Sequence, residues 1–321
     1  MTRDNARAPS TENKRAASRT VRLPYYPGCT LKTTAKNLEE SALAVAGVLG
    51  IELVELPRWN CCGVVASLTD DDLMRHLAPL RNLIRVQEMH AGGLLDDEQR
   101  LVTICSMCFN TLKRTGARLS ERPEDLEKLN AIMYLEEDYE GGVEVLHFLE
   151  ILRDVDPETI RGNVRRPLEG LRVSPYYGCT LLRPKGIGID DPERPTAQDE
   201  ILRLLGAEVV DNSKKTVCCG SYQTVGNKEA VADLAYDILT GARAAGADVV
   251  TTFCPLCAFN LDNRQRGVRE RHPDFEHVPV LYLTQLMALA FGLGEEACRF
   301  DLNYVDPTEV LEGARLVKEG T

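Results

Sequence analysis

Ten of the eleven cysteines in this 321-residue sequence fall into two copies of one pattern. Each copy has a single cysteine, then an adjacent Cys-Cys pair followed by glycine, then a Cys-x-x-Cys. The copies are offset by 150 residues at the single cysteine and by 149 at the Cys-x-x-Cys, so one duplicated unit accounts for most of the chain. The first copy contains Cys29, Cys61, Cys62, Cys105 and Cys108, and the second contains Cys179, Cys218, Cys219, Cys254 and Cys257.

Thiolate sulfur is both a metal ligand and a redox group, and the sequence favours those roles over a disulfide framework. Residues 1–20 are polar and mildly basic, and they lack the apolar core of a secretory signal. We therefore expect a cytoplasmic protein whose N-terminal 1–21 form a disordered arm and whose cysteines stay reduced. A disulfide between adjacent cysteines would also be strained.

The number of cysteines in each copy bears on which metal they would bind. Structural zinc uses four Cys or His ligands in tight pairs, whereas each copy offers five cysteines with one Cys-x-x-Cys pair. An ordinary [4Fe-4S] cubane takes four thiolates, and its usual run of three cysteines at two-residue gaps is absent. Five thiolates suit a polynuclear iron-sulfur cluster better than a single zinc ion.

Composition is that of a soluble globular protein and argues against two classes of partner. Apolar residues make up 44% of the chain and charged residues 27%, enough to build a core in each half. The net charge of −11 and the isoelectric point near 5.1 argue against a nucleic-acid surface. No apolar run in the sequence approaches the roughly 18 residues that would span a bilayer.

The elements that must position the cysteines alternate between strand and helix patterns, which predicts an α/β fold with parallel sheets. Each cysteine segment falls just past a predicted strand, at the sheet edge where open α/β folds keep their sites. In the first unit we predict strands at 21–27, 51–56 and 101–104, helices at 36–50 and 106–118, and a helix of about twenty residues capped by Thr69. In the second unit we predict strands at 171–177, 208–211, 248–253 and 278–283, and helices at 196–205, 228–245 and 284–291.

Each unit has one segment that is much shorter or missing in the other unit. A charged stretch at about 119–141 is predicted to be a helical insertion in the first unit. The loop 182–192 of the second unit is rich in glycine and proline. It is either a surface turn or a substrate lid in which Arg183 and Lys185 face an anionic ligand. Outside both copies, Cys298 is predicted to be an unliganded thiol.

The doubled CxnCCGxnCxxC pattern resembles the cysteine-rich CCG domain family, and in particular the B subunit of heterodisulfide reductase. Tyr176-Tyr177-Gly178-Cys179 and the loop from Asp190 to Thr196 also resemble that protein. The resemblance implies two tandem Rossmann-like α/β domains, at 22–155 and 165–294, followed by a C-terminal tail at 295–321. It also implies that each set of five cysteines holds one noncubane [4Fe-4S] cluster.

In that family a disulfide of small thiols enters between two facing clusters and is cleaved, or formed, by two one-electron steps. The resemblance implies partners as well, namely ferredoxin-like and flavin-containing subunits of the same complex. We expect no flavin or NAD in this chain, because Gly186-Ile187-Gly188 is too short for a dinucleotide fingerprint. Two alternatives stay open: an electron-transfer or anchoring subunit of a succinate- or glycolate-type dehydrogenase, and a structural protein with two zinc ions.

Overall fold

The computed structural model describes residues 20–64, 72–93 and 99–317. The segment up to residue 19 and Thr69, the predicted helix cap, lie outside the described residues. The chain forms two four-stranded parallel sheets, one in each half, as the sequence predicts. Because strands buried on both faces need no polar alternation, the central strands are continuous apolar runs such as Leu101-Val102 and Val249-Val250.

The first unit has the strand order β2-β1-β3-β4, with every neighbouring pair parallel. Its register pairs Tyr25 with Val102 and Tyr26 with Thr103. The strands are β1 (Val21–Tyr26), β2 (Ile51–Glu55), β3 (Arg100–Thr103) and β4 (Glu144–His147). The helices are α1 (Lys36–Val48), α2 (Leu77–Ala91), α3 (Ser106–Glu121), α4 (Pro123–Ile132) and α5 (Phe148–Asp154), and α6 (Pro157–Asn163) leads to the second unit.

The second unit repeats this topology with the order β6-β5-β7-β8. Its register pairs Pro175 with Thr251 and Val250 with Val280. The strands are β5 (Arg172–Pro175), β6 (Glu208–Val209), β7 (Val249–Thr252) and β8 (Val280–Tyr282). The helices are α7 (Ala197–Leu204), α8 (Lys228–Ala244), α9 (Pro255–Ala258), α10 (Gln265–Arg271) and α11 (Leu283–Ala290), with a π-helical turn at Phe259–Asn263 between α9 and α10.

Two predicted helices differ from the observed ones. The expected twenty-residue helix begins only at Leu77, after a 3-10 turn at Met74–His76, and Pro79 lies in its first turn, where proline is tolerated. Within the expected insertion, α4 ends at Ile132. The segment beyond it folds back, with Asn130 bonded to both the backbone N–H and the carbonyl of Tyr139.

The two units pack against each other reciprocally. Helix α1 of the first unit packs on α11 of the second, and α7 of the second packs on α5 of the first. In each case the helix after the first strand of one unit meets the helix after the last strand of the other. Between α1 and α11, the hydroxyls of Ser41 and Thr284 lie 2.7 Å apart in a buried hydrogen bond. The units are therefore related by an approximate two-fold axis.

The C-terminal segment packs against both units. It contains α12 (Glu295–Cys298), α13 (Thr308–Gly313) and a 3-10 turn at Phe300–Leu302. Arg299 forms an ion pair with Glu40 on α1, and Asn303 accepts a hydrogen bond from Gln285 on α11. This segment therefore joins the two units on one side of the interface. In the described parts of the chain, no helix combines the length and apolar character needed to cross a membrane.

Candidate metal centres

The first group of five cysteines comes together at the carboxyl edge of the first sheet. Cys29 follows β1, the Cys61-Cys62 pair follows β2, and Cys105 and Cys108 lie at the start of α3. The Sγ atoms of Cys29 and Cys61 are 3.9 Å apart. Cys62 contacts both Cys61 and Cys108 through sulfur, and Cys108 contacts Cys105. All five thiols therefore form one connected group.

The second group has the same arrangement at the edge of the second sheet. Cys179 contacts Cys218, and the Sγ atoms of Cys219 and Cys257 are 3.5 Å apart in the protein interior. Cys254 contacts Cys257 within the Cys-x-x-Cys. The two sets of five predicted from the sequence are thus each brought together. Cys298 lies apart, buried, with its thiol 3.8 Å from the carbonyl of Gln285.

The crowded thiols cannot all ionise together. Hydrogen bonds, first from Cys108 and then from Cys61, lower the pKa of Cys62 to about 4. The same contacts raise the pKa of Cys61, with Cys62 the largest cause. In the second group a hydrogen bond from Cys179 lowers the pKa of Cys218 to about 5, and the pKa of Cys179 rises. Each group could hold five thiolates only if a cation offset their repulsion.

The surroundings of the groups match the chemistry of an iron-sulfur site. The donor set is all sulfur, and a glycine packs directly against each group. Gly28 and Gly178 have positive φ, and a Cβ atom there would come within 3.0 Å of Cys108 Sγ and 3.2 Å of Cys257 Sγ, respectively. Among the described residues, no group of three or more His, Cys, Asp or Glu side chains is arranged to hold a single metal ion.

A tyrosine flanks each group, and its position corrects the alignment of the two units. The sequence pattern matches Tyr25-Tyr26 with Tyr176-Tyr177, one residue being dropped before the cysteine. The structure instead aligns Tyr26 with Tyr176, at the same offset of 150 residues as Cys29 and Cys179. The Tyr26 hydroxyl donates to the carbonyl of Asn60 and the Tyr176 hydroxyl to that of Val217, and each of these carbonyls directly precedes a Cys-Cys pair. Burial first, and then the neighbouring thiols, raise the pKa of both tyrosines.

A second pair of residues that the sequence reasoning missed supports the Cys-Cys turns. The Thr111 hydroxyl lies beside Cys62 and donates to the Met107 carbonyl at 2.9 Å, and the Asn260 side-chain amide donates to the Cys219 carbonyl at 2.9 Å. Thr111 and Asn260 are offset by 149 residues, the same as the Cys-x-x-Cys motifs. The sequence also allows Asn110 to be paired with Asn260 if one residue is inserted after Cys257, whereas the offset of the cysteines pairs Asn110 with Phe259. A gapless alignment at the cysteine offset would have found both residue pairs.

The two cysteine groups face each other across the interface between the units. The largest influence on Cys254 is the hydrogen bond from Cys257, and a backbone N–H from Met107 of the first unit also lowers its pKa. Burial raises the pKa of Tyr282, and the thiols of Cys254 in its own unit and Cys105 in the other raise it further. His147 packs edge-on against Phe253, with ring centroids 5.2 Å apart. The Cys-x-x-Cys ends of the two sites thus meet at the axis.

A groove of about 600 Å³ runs along α3 from Gly63, the residue after the Cys61-Cys62 pair, and none of the first unit's five cysteines is among its lining residues. We name it the α3 groove. The loop 182–192 forms part of its wall through Pro184 and Ile187, but the two cations predicted to face a ligand, Arg183 and Lys185, are not among its lining residues. Arg183 instead bonds to the carbonyls of Thr216 and Pro192. The lining residues are Gly63, Arg75, His76, Asn110, Thr111, Arg114, Thr115, Ala117, Arg118, Glu121, Arg122, Pro184, Ile187 and Tyr222.

Comparison with known proteins identifies the repeated unit. The family model for the cysteine-rich domain CCG matches residues 23–113 and 173–262. The chain is 33% identical over 288 residues to the 8-methylmenaquinol:fumarate reductase membrane anchor subunit of Wolinella succinogenes, covering 89% of this chain and 98% of that protein. It is 27% identical over 297 residues to the B subunit of the ferredoxin/F420H2-dependent CoB-CoM heterodisulfide reductase of Methanosarcina acetivorans, covering 91% and 96%, respectively.

Comparison with solved structures supports the fold. A hypothetical protein from Helicobacter pylori superposes with a TM-score of 0.69 at 13% sequence identity, over 89% of this chain. The match covers 53% of that protein, so this chain spans about half its length. At this level of identity the likeness concerns the fold alone.

Proposed function

Because the chain belongs to the cysteine-rich CCG domain family, we propose that it is an iron-sulfur subunit with two noncubane [4Fe-4S] clusters that reduces, or forms, a disulfide of small thiols. The first cluster would be held by Cys29, Cys61, Cys62, Cys105 and Cys108. The second would be held by Cys179, Cys218, Cys219, Cys254 and Cys257. The similarity to the B subunit of a heterodisulfide reductase over 91% of the chain supports this assignment.

The observation that carries the proposal is the face-to-face placement of the two five-thiol groups. Cleaving a disulfide takes two electrons, and when bound each cluster would supply one of them. The Met107 N–H directed at Cys254 and the packing of His147 against Phe253 support the placement of the two sites at one interface. The chain itself supplies the ten thiols and a groove that reaches the interface from solvent.

Electrons would reach the clusters from partner proteins in a complex. We propose ferredoxin-like and flavin-containing partners, because the Methanosarcina acetivorans relative is named as the B subunit of a ferredoxin/F420H2-dependent reductase. The net charge of −11 favours partner surfaces with complementary positive charge.

The test begins with iron and acid-labile sulfide on anaerobically purified protein. Two clusters predict about eight irons per chain. Electron paramagnetic resonance after oxidation, with and without added thiol, then asks whether sulfur ligands from solution reach the iron. A thiol-dependent signal together with disulfide-dependent oxidation of a reduced viologen would support the proposal. Well-folded protein that contains zinc and no iron would refute it.

A second function is favoured by the relative with 33% identity, which is named as a membrane anchor subunit of a fumarate reductase. In this alternative the same two clusters carry electrons for a dehydrogenase or reductase and cleave no disulfide. Eight irons with no thiol response and no disulfide reduction would favour it. Co-purification with a flavoprotein of the succinate dehydrogenase type would strengthen that conclusion.

A further inference from the structure

We propose that the α3 groove binds an elongated ligand with an anionic end group, a carboxylate or phosphate, held around Arg114. The anion site depends only on the residues that line the groove. The further statement that the other end of the ligand carries sulfur rests on the proposed function.

The groove connects the first cysteine group to a cluster of arginines. Thr111, which lies beside Cys62, is at one end, and Arg122 is at the other. The eleven residue steps from Thr111 to Arg122, which follows the last residue of α3, correspond to about 16 Å along the helix axis. Arg114 lies one turn beyond Thr111. A ligand with its sulfur near Cys62 would therefore place a group several bonds away beside Arg114.

The charges in the groove leave one arginine without a carboxylate. Asp72 pairs with Arg75 and Arg118, and Asp125 pairs with Arg118 and Arg122. Within the described residues, Arg114 has no hydrogen bond or ion pair. Glu121 also lines the groove, farther along α3. Arg114 is thus the cation available to an incoming anion, and a guanidinium suits bidentate binding of carboxylate or phosphate.

An unsatisfied polar atom in the groove wall points to the same place. His76 is 8% exposed and lines the groove, with Nδ1 2.8 Å from the hydroxyl of Thr115, the residue after Arg114. Its Nε2 is buried and has no hydrogen-bond partner in the described structure. Buried polar atoms normally have a hydrogen-bond partner, so the His76 Nε2 atom is available to bond a ligand in the groove wall beside Arg114.

The surface of the second unit that corresponds to the α3 groove has different residues and a different shape. There Asn263 replaces Arg114, and Phe259 replaces Asn110. The C-terminal segment covers the Phe259 end of this surface: Tyr304 packs edge-on against Phe259, and its N–H donates to Asp262 at 2.8 Å. A cavity of about 260 Å³ remains at the Phe259 end, and Asn263 lines a separate cavity of about 360 Å³ along α10. In the first unit, Asn110 instead donates to the carbonyls of Thr180 and Arg183, which holds the groove wall in place.

Direct binding to the anaerobic, cluster-loaded full-length chain tests the proposal. The probes are mercaptohexanoate and mercaptohexanol, two thiols of equal length that differ in the end group, and titration calorimetry measures their affinities. We expect the acid to bind about tenfold more tightly, or about 1.4 kcal/mol. We expect Arg114→Gln to remove that preference, Arg114→Lys to keep part of it, and Arg266→Gln, an exposed arginine of the second unit, to change nothing.

Two further probes separate the anion site from the sulfur chemistry. Inorganic phosphate should compete with the acid and leave the alcohol unaffected. Adipate, which has no sulfur, should bind with the same dependence on Arg114. If adipate binds in this way and no thiol alters the paramagnetic signal, the groove site stands and the disulfide function fails. Equal affinity for acid and alcohol, or an unchanged preference in Arg114→Gln with its iron retained, would overturn the groove proposal.

Discussion

The two units hold matching sets of five cysteines but present them to solvent differently. In the first unit Cys29 and Cys61 are exposed, whereas their counterparts Cys179 and Cys218 are half-buried. The α3 groove beside the first set reaches Asn110, whereas in the second unit the C-terminal segment covers Phe259 and leaves a smaller cavity along α10. Duplication has thus preserved the arrangement of the cysteines, while a few substitutions have changed the surface beside each set.

The largest effect is expected from removing one ligand in each unit in turn. Cys61→Ala and Cys218→Ala should each lower the iron content from about eight to about four and abolish disulfide reduction, because both sites are needed for two electrons. Cys298→Ala, which removes a buried thiol outside both groups, is the matched control and should keep all the iron. Iron analysis and paramagnetic resonance are the measurements. Full iron in either ligand variant would contradict the assignment.

A smaller loss is expected where glycine packs against the sulfur atoms. Gly28→Ala would place a Cβ 3.0 Å from Cys108 Sγ at a φ of +74°, so it should reduce the iron bound by the first unit. Gly141→Ala is the control, since its φ is +93° but no atom lies within 4 Å of the added Cβ. The control should show only the cost of positive φ, about 1–2 kcal/mol of unfolding free energy, with iron unchanged. Equal iron in the two variants would show that the close approach is unimportant.

The cover over the second unit should depend on pH. Burial raises the pKa of Asp262 to about 7, despite the N–H groups of Tyr304 and Val305 that donate to it. A carboxyl whose folded pKa lies above its unfolded value stabilises the fold less as pH rises, here from about 4 through about 7, by up to roughly 1.4 kcal/mol per unit. Hydrogen exchange at the Tyr304 and Val305 amides, corrected for intrinsic rates, should therefore show more frequent opening at pH 8 than at pH 6.

Asp262→Asn tests that mechanism, because the amide keeps an acceptor and does not titrate. The exchange of the two amides should then be independent of pH after correction. A pH dependence that persists in this variant would assign it to another group.

The smallest effect is expected at the ion pair that ties the C-terminal segment to the first unit. Arg299→Gln removes the contacts with Glu40 and Asp301, both partly exposed. Such pairs contribute about 0–1 kcal/mol, so the denaturation midpoint should shift only slightly, and less in high salt. A loss of several kcal/mol would mean that this segment contributes more to the union of the two units than its surface contacts indicate.

The sequence predicted the sheets and the cysteine groups well because their signals are local or repeated. Apolar runs such as Leu101-Val102 mark buried strands, and glycines such as Gly50, with a φ of +74°, mark the ends of helices. The sequence alignment of the tyrosines was wrong because each unit contains two adjacent tyrosines. Matching the two Tyr-Tyr pairs shifts the alignment by one residue from the backbone register, which pairs Tyr26 with Tyr176.

Features that depend on contacts between distant segments could not be read from the sequence. Arg183 has the charge expected of a ligand contact, yet backbone carbonyls in its own unit engage its guanidinium. Arg114 had no distinguishing pattern, because its importance comes from which carboxylates are paired elsewhere. The packing of residues 299–305 against both units likewise depends on tertiary contacts with Glu40, Asp262 and Gln285.

The reciprocal packing of α1 on α11 and of α7 on α5 has an evolutionary consequence. Such a pattern is the isologous interface of a symmetric homodimer, here formed within one polypeptide. An ancestral gene encoding a single unit would have produced a two-fold dimer with two identical centres at its axis. Fusion through the segment around α6 freed each half to mutate alone, and this is the condition under which Asn110 and Phe259 could come to differ.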